Sequence, residues 1–431
     1  MKKFIYILPL LVGFNFNVFS GPASENPIQP AVSAVRITHG TDCGQCRPLP
    51  EELISGISGN FGLSAEGGQF NVSAPAEIPG VETLTPQPSF AKTDFSGIYD
   101  YYFGYINEMI VKAIDASQKS FEGAVYSITM KDIPDALIKA KERGIKVRLI
   151  IDEAHIYPRM DAQIKKLINA GIDLRSLRGT RTYGVMHNKI TIHDGELVTV
   201  GSYNWTFGAT FSNYENALVL RHPIYVTGYN KYWDWMWSKA RKLSDGPSPE
   251  VPEGHYGTPP QDTKPIMNLN GTPVPAYLFS PGSTSQERLA KIIDSAKGSI
   301  DALTYTFSSK VLADALINAK KRGLKVRFLI DKNRGKESVM TKYLFDNGVE
   351  MKWGIGRNGK GALHSKFAIL DGALLETGSF NWTENASINS FENMVFVNDT
   401  KVLKAYQTKY DTLFTGAEVP TAADFTIEPA E

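Results

Sequence analysis

The sequence contains one phrase twice, as MHNKITIHDGELVTVGSYNWT at residues 186–206 and as LHSKFAILDGALLETGSFNWT at residues 363–383. Each copy reads His-x-Lys, four further residues, Asp and then, seven positions later, Gly-Ser-aromatic-Asn-Trp-Thr. The two copies are in register without a gap, since 364 − 187 and 381 − 204 both give 177. Two equivalent imidazoles in one molecule suit a two-step displacement at phosphorus, in which one ring attacks and the other supplies a proton.

The two halves also match upstream of these phrases. The stretch DALIKAKERGIKVRLIID, which ends at Asp152, pairs with DALINAKKRGLKVRFLID, which ends at Asp331. The offset here is 179, and Tyr126 and Tyr305 share it. It drops to 177 by the histidines, so the second copy has two residues fewer in the intervening segment. One long repeat of this kind indicates a duplicated domain rather than a solenoid of short units.

Within each half, helical and strand patterns alternate. Apolar residues at helical spacing predict helices in the first half over 104–119, 135–142 and 161–170. Apolar-rich runs predict strands over 121–128 and 146–151, and the Asp194-Gly195 pair is a turn signal between two further strands. Strands interleaved with helices predict an α/β layered fold.

The length suits two domains with additional segments. A chain of 431 residues exceeds one ordinary domain and accommodates two of roughly 150 residues each. Gly, Pro, Ser and Asn are frequent before the first half, and a proline-rich stretch separates the halves. We therefore predict a signal peptide at 1–20, an N-terminal extension at 21–95, a first half at 96–245, a linker at 246–272, a second half at 273–418 and a C-terminal tail at 419–431.

The first residues have the pattern of an export signal. Met1-Lys2-Lys3 is a positive start, residues 4–14 are mostly apolar, and Val18-Phe19-Ser20 suits a cleavage site. The apolar run is short for a membrane span, which needs about 20 residues, and no second run predicts a transmembrane helix. We expect a secreted or periplasmic protein, with a buried N-terminal strand as the alternative interpretation of this segment.

The two cysteines, Cys43 and Cys46, form a C-x-x-C pair in the extension. Outside the cytoplasm such a pair can close a local disulfide. A redox role would need a following helix to lower the thiolate pKa, and Pro48 and Pro50 argue against one. A zinc site would need four ligands, and only His39 lies nearby. We expect a structural disulfide, with incidental thiols and a metal or redox site as alternatives.

Composition and charge narrow the class of protein. Hydrophobic residues make up 42% and charged residues 21% of the chain, which is typical of a soluble globular protein. The net charge of +1 excludes a basic field over the whole molecule that would attract nucleic acid. A local basic groove stays open, because a summed charge does not describe its distribution.

Strand geometry places the histidine and the lysine together. Side chains alternate across a strand, so His187 and Lys189 share one face while Met186, Ile190 and Ile192 face the core. An isolated His-x-Lys would indicate an ordinary surface histidine. The duplication of the whole string favours a catalytic role instead.

The pattern H-x-K-x4-D-x6-G-S-x-N resembles the signature of the phospholipase D superfamily, which includes a bacterial nuclease branch and phospholipid synthases. It is complete in both halves, and the resemblance covers about residues 96–411 without the linker. It implies two α/β/α halves with mixed central sheets, packed about a pseudo-twofold axis so that both motifs share one active site. It also implies that one histidine forms a phosphohistidine, that the other protonates the leaving oxygen, and that no metal or cofactor is needed.

The resemblance assigns further roles. His187, Lys189, Asp194, His364, Lys366 and Asp371 are the predicted catalytic residues, with the lysines stabilising charge on the phosphoryl oxygens. Ser202, Asn204, Ser379 and Asn381 are the predicted phosphate-binding residues. Glu215 and Glu392 each follow their own half's histidine by 28 positions, and each is predicted to orient that histidine. For Asp194 and Asp371 a structural role in the turn is at least as well supported as a catalytic one.

Two other histidines are not expected to be catalytic. The repeat equivalent of His193 is Leu370, and the segment Asp152-Glu-Ala-His155 becomes Asp331-Lys-Asn-Arg334 in the second copy. The duplicate keeps only the aspartate of this segment, and the resemblance implies chemistry without metal, so we predict no metal site there.

The substrate is the open question. Export and near-neutral charge favour a phospholipase D type enzyme that hydrolyses phospholipid head groups, or transfers the phosphatidyl group to an alcohol, in contact with a membrane surface. The Gly-Ser-aromatic-Asn-Trp-Thr string resembles the nuclease branch and favours a secreted nuclease that cleaves DNA or RNA. A non-catalytic envelope protein is the third hypothesis. We favour the phospholipase.

Overall fold

A computed structural model describes residues 98–427 of the chain. The predicted signal peptide, the whole of the predicted extension and the Cys43–Cys46 pair lie outside the described residues, so these stay predictions.

The first half is built from eight strands and five α-helices in an interleaved order. They are β1 Tyr99–Tyr102, α1 Ile106–Ala116, β2 Ser120–Val125, α2 Asp132–Glu142, β3 Lys146–Asp152, α3 Ala162–Asn169, β4 Asp173–Leu177, β5 Lys189–His193, β6 Leu197–Gly201, α4 Phe207–Phe211, β7 Ala217–Leu220, α5 Pro223–Lys239 and β8 Arg241–Lys242.

The second half repeats this series with small differences. Its elements are β11 Tyr277–Ser280, α6 Ser285–Ser295, β12 Ser299–Thr304, α7 Lys310–Lys321, β13 Lys325–Asp331, α8 Lys332–Lys336, α9 Val339–Asp346, β14 Glu350–Gly354, β15 Phe367–Leu370, β16 Leu374–Gly378, α10 Glu384–Ile388, β17 Glu392–Val397 and α11 Thr400–Thr415. Between the halves, β9 Met267–Leu269 and β10 Thr272–Val274 form a small hairpin that begins within the predicted linker at 246–272, and the linker boundaries stay a prediction.

Each half has one mixed central sheet, as predicted. The strand order is β1-β7-β6-β5-β2-β3-β4-β8 in the first sheet and β11-β17-β16-β15-β12-β13-β14 in the second. In each sheet three neighbouring strands are parallel, β2-β3-β4 and β12-β13-β14, and the remaining pairs are antiparallel. The parallel strands are joined by helical crossovers, which is the connection that parallel pairing requires.

Local sequence explains the elements that carry the duplicated phrase. The predicted hairpin forms between β5 and β6, with φ angles of 55° at Asp194 and 70° at Gly195, because a tight turn between twisted strands needs two residues of positive φ. The second copy does the same at Asp371 and Gly372. The sequence therefore determines the strand that follows each histidine.

Two predicted boundaries shift. Helix α2 begins at Asp132 rather than 135, and Pro134 fits in its first turn, where its missing N–H costs no hydrogen bond. Strand β2 ends at Val125 rather than 128, because Ile128 leaves the sheet and pairs as an isolated bridge with Trp205.

A single apolar cluster joins the two halves. Helix α5 of the first half packs against β11 of the second, and the rings of Tyr232 and Phe279 stack with centroids 3.8 Å apart. The hydroxyl of Tyr225 donates to the carbonyl of Phe396 across the same boundary. The interface resembles the interior of one domain, so the halves form one folded unit.

Two backbone bridges relate the halves symmetrically. Met186 pairs with Phe391, and Tyr214 pairs with Leu363. In the first bridge the N–H of His187 donates to the carbonyl of Phe391 at 2.9 Å, and in the second the N–H of His364 donates to the carbonyl of Tyr214 at 2.9 Å. Both pairs exchange under the repeat offset of 177, so the halves are related by the predicted pseudo-twofold axis.

We predict that Gly228→Ala destabilises the protein at this interface. A Cβ at Gly228 would lie 2.1 Å from the Tyr277 ring, which is itself buried between aromatic neighbours. Overpacking of this kind costs about 1–3 kcal/mol of unfolding free energy, measured by urea titration. Gly208→Ala is the matched control, because a Cβ there meets no atom within 4 Å and alanine favours a helix. Equal stability of the two variants would contradict the packing described.

Candidate active site

One cavity of about 360 Å³ receives residues from both halves. His187 and His364 both line it, as the duplicated motif predicted. Tyr126 and Asn204 reach it from the first half, and their repeat equivalents Tyr305 and Asn381 reach it from the second. The two motifs therefore form one site rather than two.

Each histidine is held by a glutamate from the other half. The Nδ1 of His187 lies 2.9 Å from a carboxylate oxygen of Glu392, and the Nδ1 of His364 lies 2.9 Å from Glu215. The prediction that each glutamate orients the histidine of its own half is wrong. The reason is the pair of backbone bridges, which place the segment before each glutamate beside the opposite histidine.

This pairing assigns the ring nitrogens. A carboxylate accepts only, so Nδ1 carries the hydrogen of the neutral imidazole and Nε2 carries the lone pair. Glu392 also lines the cavity, and Glu215 is almost fully buried. Both histidines are thus in the tautomer that a nucleophile needs.

The two serines of the motifs are hydrogen-bonded to the glutamates. Ser202 donates to Glu215 at 2.5 Å and Ser379 donates to Glu392 at 2.5 Å. Each serine oxygen also accepts the backbone N–H that follows its glutamate, from Asn216 and from Asn393. Because both hydroxyls are fully buried and already donate, the prediction that they bind phosphate is corrected: they fix the carboxylates.

Burial lowers the pKa of both histidines. The pKa of His364 falls to about 4, since burial and Lys366 outweigh the opposing effect of Glu215. Burial likewise lowers the pKa of His187, against the opposing effect of Glu392. Burial alone would raise the pKa of Glu215, but His364 and Lys366 outweigh it and the pKa ends below its ordinary value. At neutral pH the site contains neutral imidazoles beside a carboxylate anion.

Each of the two lysines bonds the backbone of the histidine that precedes it by two positions. Lys189 donates to the carbonyl of His187, and Lys366 donates to the carbonyl of His364. Burial lowers their pKa values to about 7 and about 8 respectively. Neither lysine lines the cavity; Lys366 contributes to the lowered pKa of Lys189, and both lysines contribute to the lowered pKa of each histidine. In their protonated forms they act on the site as buried cations, and Lys189 is only partly protonated at neutral pH. Direct contact with a phosphoryl group stays a prediction.

The asparagines of the motif do lie on the cavity wall. The side-chain oxygens of Asn204 and Asn381 are buried and have no hydrogen-bond partner among the described residues. A buried polar atom without a partner is costly unless something else bonds it. These oxygens only accept, so only the Nδ2 groups of the same amides could donate to a phosphate oxygen, and that predicted role stays a prediction.

Sequence reasoning missed two pairs of site residues. Tyr126 and Tyr305 line the cavity, with ring centroids 5.1 Å from His187 and 4.8 Å from His364. Asp152 and Asp331 accept the backbone N–H groups of Met186 and Leu363, which precede the histidines. Burial raises the pKa of Asp152 to about 7. Their signal was available, because both pairs keep the repeat offset of 179.

Asp194 and Asp371 do not belong to the site. Asp194 accepts three backbone N–H groups from residues 118–120, and Asp371 accepts the three equivalent groups from residues 297–299. These bonds lower the pKa of both carboxyls against the opposing effect of burial. Each aspartate follows the far end of the strand that the histidine precedes, so the prediction of a catalytic role is corrected to a structural one.

The other predicted features have plain positions. His193 is buried between Ser117 and Thr191 in the core, apart from the cavity. His155 lies against Tyr126 and contacts Asp161, while its equivalent Arg334 bonds the hydroxyl of Tyr305. Among residues 98–427, no group of three or more His, Cys, Asp or Glu side chains is arranged to hold a metal. In the same range no helix is long and apolar enough to span a bilayer.

Comparison with known proteins places this site in a family. A family model described as "Cardiolipin synthase, PLD-like domain" matches residues 110–237 and 289–414, one segment in each half. A mitochondrial cardiolipin hydrolase from Chlamydomonas reinhardtii is 32% identical over 29% of the chain and 54% of its own length. A phospholipase D from Rickettsia bellii is 29% identical over 44% of the chain and 88% of its own length.

Solved structures show the same fold. A phosphatidylserine synthase from Haemophilus influenzae superposes with a TM-score of 0.60 over 77% of this chain and 89% of its own, at 12% identity. The chain spans about half the length of the first curated relative it matches. At this identity the structural likeness describes architecture alone, and it confirms the prediction of duplicated α/β halves.

We predict that Glu215→Gln affects His364 and not His187. Loss of the carboxylate removes the charged acceptor of the Nδ1 hydrogen and lowers the pKa of His364 further, because Glu215 raises it. The downfield Nδ1–H resonance of ¹⁵N-labelled histidine should vanish for His364 alone, and Glu392→Gln should do the same for His187. Glu196→Gln, at an exposed pair with Lys119, is the control. A change in the His187 resonance of Glu215→Gln would show instead that each glutamate bonds the histidine of its own half.

We predict that Asp194→Ala and Asp371→Ala lower stability without altering the histidines. Each removes an acceptor for three backbone N–H groups and should cost about 1–2 kcal/mol of unfolding free energy. Urea titration gives the free energy, and the histidine resonances report on the site. Asp234→Ala, on the exposed face of α5, is the control. If instead the histidine resonances changed while the stability did not, the aspartates would belong to the active site and the structural role would be wrong.

Proposed function

The chain belongs to the family of the cardiolipin synthase PLD-like domain, and from that premise we propose that it is a phosphodiesterase that works through a phosphohistidine and takes phospholipids as substrates. The single observation that carries the proposal is the crossed pair of His–Glu hydrogen bonds on one cavity. The predicted signal peptide makes export to the periplasm or the medium part of the same proposal.

In the first step, the Nε2 of one histidine attacks phosphorus. The N–P bond forms as the bond from phosphorus to the leaving oxygen breaks, and the second histidine gives its proton to that oxygen. The attacking ring is ready because burial keeps it neutral and a glutamate holds its Nδ1 hydrogen. The second ring must bind a proton first, and the anionic phosphodiester favours this by raising the pKa of a nearby imidazole.

In the second step, the second histidine accepts a proton from water, which attacks the phosphohistidine and breaks the N–P bond. An alcohol in place of water gives a transferred phosphatidyl group. The second ring therefore acts as the acid in the first step and as the base in the second, while the first ring attacks phosphorus and then leaves. Each ring has a carboxylate partner at Nδ1 that holds it in place for its role. We favour His187 as the nucleophile.

Buried cations would stabilise the reacting group. The ammonium of Lys189 lies 5.2 Å from the ring centroid of the cavity residue Tyr126, and that of Lys366 lies 5.3 Å from the ring centroid of Tyr305. The low dielectric there strengthens their field on the developing phosphoryl charge. The amides of Asn204 and Asn381 are at the wall and would bond phosphoryl or ester oxygens.

The character of the cavity wall supports a lipid substrate. Its lining residues include histidines, asparagines, tyrosines, threonines and one glutamate, and no lysine or arginine. A groove that follows a nucleic-acid backbone needs lysines and arginines to neutralise successive phosphates. Two relatives, a cardiolipin hydrolase and a phospholipase D, support the same substrate class.

A nuclease is the second candidate. It is favoured by the Gly-Ser-aromatic-Asn-Trp-Thr string, which resembles the nuclease branch of the superfamily in both copies. The chemistry of the two steps would be identical, since a nucleic acid is also a phosphodiester. Only the substrate assay below separates the two.

We expect His187→Asn and His364→Asn each to lower turnover by at least about a hundredfold, because each step needs both rings. Turnover should survive EDTA. His255→Asn, an exposed histidine outside the cavity, is the matched control and should keep full turnover. A phosphate trapped on a histidine peptide, labile to acid and stable to base, would identify the nucleophile. Substantial turnover in either cavity variant would refute the shared-site mechanism.

The substrate assay uses phosphatidylcholine, phosphatidylglycerol and cardiolipin in mixed micelles, with ethanol as acceptor. Formation of phosphatidate and phosphatidylethanol is expected. Cleavage of DNA or RNA in EDTA without any lipid turnover would make the second candidate the function.

A further inference from the structure

Three aromatic side chains are exposed in the described part of the chain. They are Tyr183 at 79%, Phe207 at 63% and Phe211 at 52% of full exposure. The rings of Phe207 and Phe211 lie one helical turn apart on α4, with centroids 4.6 Å from each other. Exposed rings in contact form an apolar surface that water does not favour.

All three side chains project from segments attached to the cavity wall. Helix α4 begins three residues after Asn204, which lines the cavity. Tyr183 precedes the lining residue Val185 by two positions, and its carbonyl accepts from the side chain of Asn385, another lining residue. The segments that carry the exposed rings thus adjoin the cavity wall, that of the phenylalanines from the first half and that of the tyrosine through its bond to Asn385 of α10.

The pseudo-twofold symmetry does not require these residues. At the equivalent positions of the second copy Phe207 becomes Glu384, Phe211 becomes Ile388 and Tyr183 becomes Lys360. The duplicated chemistry is kept on both sides, whereas the exposed rings occur on one copy only. The second half adopts the same fold without aromatic residues at these positions.

Cationic side chains accompany the phenylalanines. Lys131 is exposed next to the loop whose Thr129 hydroxyl accepts the backbone N–H of Phe207. Lys360 is exposed beside Gly361, which packs directly against Ser212 at the end of α4. Apolar rings bordered by lysines match the interface of a bilayer, where rings enter among the acyl chains and lysines meet anionic head groups.

On these observations we propose that Phe207, Phe211 and Tyr183 form a docking surface that seats the cavity on a phospholipid bilayer. The inference rests on the proposed lipid substrate and adds how the enzyme reaches it. A diester within a bilayer is held at the head-group level, and a cavity flanked by inserted rings would lie at that level. Single-stranded nucleic acid also stacks on aromatic rings, but it requires a basic groove beside them, and the cavity wall between these rings has no lysine or arginine.

The test measures vesicle binding apart from catalysis. The full chain with His187→Asn, which leaves the vesicles intact, is sedimented with sucrose-loaded vesicles of phosphatidylcholine with and without phosphatidylglycerol. Phe207→Ser/Phe211→Ser in this background should weaken binding roughly tenfold to a hundredfold, since each ring loses part of the transfer free energy of a buried phenylalanine. Tyr183→Ser should have a smaller effect of the same sign. Thermal melting confirms that the variants are folded.

Ile266→Ser is the matched control. Its side chain is also exposed, at 69%, but it precedes the β9–β10 hairpin, whose turn residue Asn270 contacts Asp371 at the far end of the second sheet. Vesicle binding should be unchanged in this variant. An equal loss in Ile266→Ser and in the double phenylalanine variant would overturn the proposal by showing a nonspecific response.

The remaining outcomes also decide. Unaltered vesicle affinity of the folded double variant would overturn the docking surface, as would an absence of vesicle binding by the parent chain. In either case turnover of a soluble short-chain phospholipid by the active chain would leave the proposed function standing. Loss of binding to a single-stranded oligonucleotide, without loss of vesicle binding, would assign the rings to nucleic acid instead. Vesicle binding without lipid turnover would preserve the surface and refute the function.

Discussion

The backbone bridges between the halves are the constraint on which the site depends. Met186 with Phe391 and Tyr214 with Leu363 bring each histidine strand alongside the glutamate strand of the other half. Without them His187 and His364 would have no carboxylate at Nδ1, because the glutamate that bonds each histidine belongs to the other half, where a serine of that half also bonds it. Docking of the halves and assembly of the site are therefore one event.

The same arrangement satisfies a cluster of buried charges. Lys189, Lys366, Glu215 and Glu392 are all nearly or fully buried, and a buried charge is tolerated only when it is paired and hydrogen-bonded. Polar contacts across the interface surround them: Asn216 of the first half bonds Tyr406 of the second, and Tyr229 of the first bonds Asn393 of the second. The pseudo-twofold axis relates these two neutral hydrogen bonds to each other. They do not involve the charged groups, so each lysine interacts electrostatically with the buried glutamates.

Symmetry holds at the centre of the molecule and fails toward its surface. The residues that would act on phosphorus occur in matched pairs, while the residues around them differ between the copies. His155 beside Tyr126 corresponds to Arg334 beside Tyr305, and exposed Phe207 corresponds to Glu384. A two-step reaction needs two equivalent rings, but a substrate approaches from one direction only. The residues at the centre are therefore duplicated because the reaction uses both histidines, whereas the residues at the surface differ because a substrate approaches from one side.

The sequence by itself determined the duplication, the mixed α/β halves, the Asp194-Gly195 hairpin and the identity of the paired histidines and lysines, since each depends on contacts between residues near in the chain or on the repeat itself. Only the tertiary structure decided which histidine each glutamate holds, that Ser202 and Ser379 bond carboxylates, and that Asp194 and Asp371 lie at the far strand ends. The physical reason is that each glutamate follows the histidine of its own half by the same 28 positions, and this spacing cannot tell whether the glutamate bonds that histidine or the one in the other half. Spacing along the chain counts residues, whereas a hydrogen bond depends on how two separately folded surfaces pack.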